Sequence, residues 1–508
     1  MSGVRFREFN TRHKTGRGIA VRFGFAYPST YRAGITSLAT HLFYSILNDR
    51  EDTSCERYFR FGVQSPCHSL ESGRQLRDNH IVGFSLSYEE DIVNVVQMLE
   101  MGQVPIESSE RTETDPIVIM GGPAVTANPE PYADFVDAFV IGEADVVIHE
   151  IVDTVGEAMS RKEALAGLKQ IRGVYVPLLG RPPVDRLVID NLDSLPHPTA
   201  QILPEVEEDD EHAPVFGKSL LVEVTRGCGH SCRFCLVGHI CRPRRVRSLD
   251  RLEEIIRKGV SETPVSKVAL IGSSLGDMDR LDELTEWIVS QGLGVSVPSL
   301  RADSVSSELL SALVRGGQRT LTIAPETGSE TLRRTIGKGL SDSDIEGAVQ
   351  AAMSAGLKSV KLYFIVGLPG ETDQDAVDIA RLVDQLSSRY PLRFTLSISP
   401  FVPKANTRFE REPQPSIEVI RSRLRTVERH LKGISRVTVE PIDPRNARIE
   451  AALSIGGRDL GRVVRLAARY GGLGGWRRAE REAGVQFLEL AGQDRRGVEE
   501  LPWSFIRL

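Results

Sequence analysis

The residues best equipped for chemistry are three cysteines on one short segment, Thr225-Arg-Gly-Cys228-Gly-His-Ser-Cys232-Arg-Phe-Cys235. Three thiolates from a single loop can hold three irons of a [4Fe–4S] cluster, which is usually fixed by four cysteines. The fourth iron is then left to the donor atoms of a small molecule. The competing chemistry is a zinc knuckle with His230, His239 or Cys241 as a fourth, tetrahedral ligand. Cys241 itself reads as a small buried hydrophobe. The basic run Arg242-Pro-Arg-Arg-Val-Arg247 reads as a solvated loop or as a contact for phosphate and carboxylate groups.

A loop presents thiols in a fixed geometry only if rigid elements carry it. The apolar run Leu220–Val224 leads directly into the cysteines, and further candidate strands follow at Lys267–Ile271, Gly294–Pro298, Thr320–Ile323, Ser359–Ile365 and Arg393–Ile398. Amphipathic stretches such as Leu249–Lys258 and Ser341–Ala355 lie between them at helical spacing. Six βα repeats predict a partial (β/α)6 barrel over residues 216–412, whose ligands meet the strand ends. That context fits an enzyme site better than a small stapled module. Four polar or glycine-containing runs fall where such strands end: Gly272-Ser273-Ser274, Ser299-Leu-Arg301-Ala-Asp303, Ala324-Pro-Glu326-Thr-Gly328 and Ile365-Val-Gly367.

Residues 1–160 form an earlier strand–loop–helix series. Ile19–Ala26, His80–Ser85, Pro116–Met120 and Ala138–Ile141 read as strands, with helices near Ala33–Leu47, Asp91–Met101 and from Asp145. This alternation predicts an α/β fold with a doubly wound parallel sheet, which binds ligands beyond the carboxyl ends of its strands. Glycines and polar residues stand at those ends: Gly34, Ser85, Ser87, Gly121, Gly122, Asn128, Gly142 and Glu143 among them. They read either as turn-formers or as places where a large flat ligand nears the backbone. Residues 161–215, rich in proline and acids, read as a linker with little structure of its own. Residues 413–508 read as a helical, then mixed, C-terminal extension.

Composition narrows the class. At 508 residues the chain is too long for one ordinary core, and 41% hydrophobic with 26% charged residues is normal for a globular protein. A net charge of −6 argues against wholesale nucleic-acid coating. No run of about 18 apolar residues appears, and the polar, basic N-terminus lacks the apolar core of a secretory signal. A cytoplasmic location is expected. There disulfides have little use, so four of six cysteines clustered in one segment point to metal chemistry.

The Cys-x3-Cys-x2-Cys spacing, with Phe234 before the last cysteine, resembles the radical S-adenosylmethionine (SAM) superfamily. The resemblance implies a [4Fe–4S] cluster on Cys228, Cys232 and Cys235. Its open iron would bind the amino and carboxylate groups of SAM and cleave it to a 5′-deoxyadenosyl radical. It also implies an electron donor such as ferredoxin or flavodoxin. The strand-end residues then become cofactor contacts. Gly272, Ser273 and Ser274 replace the family's usual Gly-Gly-Glu near the SAM amino group. Arg301 could pair with the SAM carboxylate or form a surface ion pair. Glu326, with Gly328, could hold a ribose hydroxyl or the amino group, or simply cap a helix. Ile365 and Gly367 resemble the adenine-side loop. The N-terminal loops resemble the cobalamin-binding domain fused to many such enzymes, which implies cobalamin at the loops of Gly34, Ser85, Ser87, Gly121, Gly122, Asn128, Gly142 and Glu143. No Asp-x-His-x-x-Gly motif is present, so no histidine of that kind is expected beneath the cobalt. The resemblance implies a cobalamin-dependent methyltransferase acting on an unactivated carbon. The alternatives are ring closure or rearrangement without methyl transfer, and methylthiolation, for which the three extra upstream cysteines are lacking. An open barrel side would admit a peptide or protein substrate.

Overall fold

The computed structural model describes residues 6–16, 18–62 and 66–508; the first five residues of the stretch read for a signal lie outside them. The N-terminal sheet contains β1 (Val21–Ala26), β2 (Thr53–Tyr58), β3 (Ile81–Ser85), β4 (Ile117–Gly121), β5 (Ala138–Val140) and β6 (Val174–Tyr175). Their order is β2-β1-β3-β4-β5-β6, with the first five parallel and β6 antiparallel. Side chains alternate between the faces. Phe23, Phe25, Ile119 and Val140 meet the helices Leu38–Asp49 and Ile148–Glu157, while Val82, Phe84, Met120 and Phe139 meet the helix Ile92–Met101. Both faces are covered, as a parallel sheet requires.

β2 was not foreseen, because Thr53-Ser-Cys-Glu-Arg-Tyr reads as polar. All six residues are nonetheless buried. Arg57 is fully enclosed and donates to Glu8 at 2.9 and 2.7 Å and to Glu71 at 2.6 Å. Glu56 accepts from Ser69 and Ser72 at 2.6 Å each. These partners compensate charges that would otherwise forbid burial.

The second sheet system is built from β7 (Ser219–Glu223), β8 (Lys267–Ile271), β9 (Gly294–Ser296), β10 (Thr320–Glu326), β11 (Ser359–Val366), β12 (Arg393–Pro400) and β13 (Val437–Pro441). β7-β8-β9 and β10-β11-β12-β13 run parallel, and a Leu300–Ile323 bridge joins the two groups. The partial barrel thus has the six expected strands, and β13 extends it. Helix starts are locally encoded: Ser341 and Asp344 form a reciprocal capping box for Asp342–Ala355.

Residues 161–215 do more than span. They contain the helix Arg161–Leu168 and β6, and Leu203–Pro204 pairs with Glu8–Phe9. The Gln201 side chain donates to the Leu221 carbonyl (2.6 Å) and accepts from its N–H (2.9 Å), standing in for a neighbouring strand at the β7 edge. The C-terminal helices Pro444–Ile455, Gly461–Tyr470 and Gly472–Ala483 return to the N-terminal sheet. Leu453, Val464, Trp476 and Trp503 share one core with Val82, Phe84 and Leu99. Among the described residues no helix is long and apolar enough to cross a membrane.

Candidate functional site

The cysteine loop leaves the end of β7. Its base is closed where Thr225–Arg226 pairs antiparallel with Arg245–Val246. Gly227 has φ +82°, and a Cβ there would stand 2.1 Å from the Cys241 carbonyl oxygen, so only glycine fits. The far side is held by Arg233 N–H donating to Ile336 O (2.8 Å) and by Arg242 donating to His230 O (2.8 Å).

Cys232 is buried, and Cys228 and Cys235 are half-buried. Burial pushes the Cys232 thiol up to about 11 and also raises Cys235. Cys235 feels the charge of Cys228, and Cys232 that of Cys235, so the thiols lie within electrostatic reach of one another. The charges of Lys338, Glu326 and Arg301 also reach Cys232. Buried thiols so arranged become thiolates most readily when a metal neutralises them. Of the candidate fourth ligands, His230 Nε2 lies 2.8 Å from Asp277 and His239 bonds Cys235 O through Nδ1 at 2.7 Å. Among the described residues no three His, Cys, Asp or Glu converge as ligands of one ion. Three cysteines on one loop, with no fourth protein thiolate required, are the donor set of a cluster that leaves one iron to a small molecule.

The strand-end residues divide. Glu326 lies at a register shift in β10 with φ +70°, a left-handed conformation rare for a non-glycine residue, and its carboxylate accepts from Lys338 at 2.8 Å. Phe234 and Ile365 pack on one small cluster with Ile336, Leu368 and Phe401, drawing the loop after β11 to the cysteines. Arg301 is turned to Asp303 (3.0 and 2.8 Å) and the Lys338 carbonyl (3.1 Å). Ser274 is buried and Ser273 exposed. Gly272 lies against Thr225, Gly328 against the backbone of Asp378–Ile379, and Gly367 has φ +89°.

A cleft of about 1300 Å³, counting its part open to solvent, lies at the carboxyl end of the N-terminal sheet. Phe23, Phe25, Gly83 and Ile119 floor it, the helix from Leu38 walls it, and Glu223, Arg226 and Ile271 of the barrel close the other side. The strand order β2-β1-β3-β4-β5 puts the topological switch point, where successive strands change the side on which they are added, between β1 and β3, and such sheets bind ligands there. Ser85, Ser87, Gly121, Gly122, Gly142 and Glu143 line the cleft. Gly34 and Asn128 are not among its lining residues. Gly34 packs against the Phe59 ring, and the Asn128 amide donates to Ser454 O (3.1 Å) and Gly456 O (2.8 Å). Glu143 accepts from Arg245 (2.7 Å) and Ile189 N (2.9 Å) and lies 3.4 Å from Arg226, so it ties the sheet domain to the cysteine loop. Sequence reasoning passed over Arg226, which also binds Asp145 (3.0 Å) and Glu223 (2.9 Å). Its place just before Gly227-Cys228 was the available signal.

Fold and site together define a two-part α/β protein in which a partial barrel carrying a three-cysteine loop adjoins a cleft at the strand ends of a sheet of flavodoxin-like order. The family model described as "Radical SAM proteins, N-terminal" matches residues 39–177, and that of the radical SAM superfamily matches 222–383. An uncharacterized protein of Methanocaldococcus jannaschii is 34% identical over 386 residues, covering 76% of this chain and 78% of that one. The chain belongs to the radical SAM superfamily. An uncharacterized methyltransferase of Pyrococcus horikoshii is 27% identical over 286 residues, covering 55% of this chain and 60% of that protein. Two solved structures share the fold. The radical SAM methyltransferase TsrM of Kitasatospora setae, with cobalamin and a [4Fe–4S] cluster bound, aligns over 91% of this chain and 100% of its own (TM-score 0.57, 11% identity). The cobalamin-dependent SAM radical enzyme OxsB, with aqua-cobalamin and SAM bound, aligns over 91% and 70% (TM-score 0.54, 14% identity).

Proposed function

We propose that this chain is a cobalamin-dependent radical SAM methyltransferase that transfers a methyl group to an unactivated carbon. One observation supports the reading: the cleft at the strand ends of the sheet domain is also lined by Glu223, Arg226 and Ile271 of the barrel, Arg226 standing two residues before Cys228, so cofactors held by the two domains would open toward each other. Group transfer requires the reacting atoms to approach to about 3–3.5 Å, which facing stations permit. When bound, the cluster with SAM supplies a hydrogen-abstracting radical and cobalamin supplies a methyl donor. Cys228, Cys232 and Cys235 would hold three irons of the cluster. Ser85, Ser87 and Gly121 would cradle cobalamin, with Phe23, Phe25 and Ile119 excluding water beside it. Glu143, through Arg226 and Arg245, fixes one station against the other. The half-exposed edge strand β13 leaves the barrel open, which suits a carbon carried on a peptide or protein. An external electron donor such as ferredoxin or flavodoxin completes the system.

The test uses SAM deuterated on its methyl group with the anaerobically reconstituted full chain. The product should carry the labelled methyl, and 5′-deoxyadenosine and S-adenosylhomocysteine should form in the same turnover. 5′-Deoxyadenosine with an unlabelled, mass-unchanged product would select ring closure or rearrangement instead.

A further inference from the structure

Buried hydrogen-bonding groups without partners among the described residues gather round the cysteine loop, Thr225 Oγ1, Arg242 Nε and Arg244 Nη2 among them. Native proteins rarely leave such groups empty. Neighbouring arginines are committed to carboxylates: Arg226 to Glu223 and Asp145, Arg245 to Glu143, Arg247 to Glu223 and Arg301 to Asp303. Arg242 spends a nitrogen on His230 O inside the loop.

Arg244 differs. Its Nε donates to Ser274 Oγ at 3.2 Å, just past β8, while Nη2 has no acceptor among the described residues. Because Ser274 Oγ accepts that bond, its own hydroxyl proton remains free to donate, and Ser274 is only 6% exposed. The pair stands beside the cluster site, with Arg244 Cδ 3.9 Å from where a Cβ on Gly229, the neighbour of Cys228, would be. A guanidinium N–H and a hydroxyl O–H side by side match the two oxygens of a carboxylate.

We propose that Arg244 and Ser274 clamp the carboxylate at the methionyl end of SAM. This rests on the SAM reading above. Arg301, the other candidate, already has its charge answered by Asp303. A cobalamin phosphate shares the oxyanion chemistry, and the experiment separates the two sources.

Equilibrium dialysis of the anaerobically reconstituted full chain, at matched cluster absorbance, measures binding of SAM, of decarboxylated SAM and of hydroxocobalamin. Arg244→Gln should weaken SAM by about 10- to 100-fold, as loss of hydrogen bonds to a charged group implies. Decarboxylated SAM and cobalamin should bind as to the native protein. Ser274→Ala should give a smaller loss of the same selectivity, and it decides the matter if Arg244→Gln assembles no cluster. Equal weakening of both nucleosides, or of neither, overturns the clamp. Lost cobalamin with SAM selectivity intact also overturns it and assigns the pair to the phosphate. A native protein that binds SAM no better than background sinks the SAM reading itself, a result separate from loss of selectivity.

Discussion

Cys232 is buried, where Cys228 and Cys235 are half-buried, yet it is small, and alanine in its place removes little packing. Cys232→Ala should therefore keep the native circular dichroism spectrum and lose the cluster's charge-transfer absorbance and all SAM cleavage, since two cysteines hold four irons poorly. 5′-Deoxyadenosine at the native rate would exclude the cluster assignment. The paired glycines at the end of β4 play different parts. A Cβ on Gly122, which has φ +116°, would stand 2.3 Å from the Leu86 carbonyl oxygen, so Gly122→Leu breaks backbone packing whether or not a ligand binds. A Cβ on Gly121 meets nothing nearer than the Val140 carbonyl oxygen at 3.7 Å and faces the cleft. Gly121→Phe should keep the unfolding midpoint near native while cobalamin retention in the full chain falls at least about tenfold, a loss of about 1.4 kcal/mol. Native retention in that variant would move the ligand out of the cleft.

At the scale of elements, two histidines stitch residues 161–215 to their neighbours. His41, on the helix Leu38–Asp49, bonds Ile35 O through Nε2 (2.9 Å) and accepts from Ile202 N–H at Nδ1 (3.2 Å). His197 accepts from the Glu223 N–H of β7 at Nε2 (3.1 Å) and bonds Pro198 O through Nδ1 (3.2 Å). Each ring is thereby fixed as a neutral tautomer. Burial, the leading cause, pushes His41 down to about 4 and His197 to about 3. Below the ordinary histidine value of about 6.5 the unfolded chain binds protons that the folded chain refuses, so stability must fall as pH falls. Unfolding free energy should drop from pH 6.5 toward pH 4 with a slope that includes up to about two protons. His197→Gln should remove about one of them, read from denaturant midpoints across that range. An unchanged slope would show that His197 does not stay neutral in the fold.

Over the whole molecule the chain's two ends build one core. Leu460, Val464, Trp476 and Trp503 complete the core on the far side of the N-terminal sheet, where the helix Gly461–Tyr470 packs against Ile92–Met101 and Gln97 donates to Ala468 O at 2.7 Å. A fragment of residues 1–160 would expose the apolar side of that core, including part of the helix Ile92–Met101, to water. Removing residues 457–508 should therefore abolish cooperative unfolding and cause aggregation, seen by calorimetry and size-exclusion chromatography. A soluble truncated chain with the native midpoint would refute this dependence of one half on the other.

The sequence by itself determined the cysteine loop, the six barrel strands, the alternation of the N-terminal sheet and the position of residues at strand ends. Those signals are local, since they rest on spacing, apolar periodicity and turn chemistry over a few residues. Only the tertiary structure decided that the polar run at β2 is a buried strand, because Glu8 and Glu71 come from elsewhere to meet Arg57. It alone showed that Gln201 closes a sheet edge, and that Asn128 clasps the C-terminal helix while Glu143 anchors the cysteine loop. It likewise separated Gly121 from Gly122 and Arg244 from its committed neighbours. The physical reason is the same in each case: a polar side chain's role depends on which distant partner satisfies it, and one-dimensional spacing carries no record of that partner.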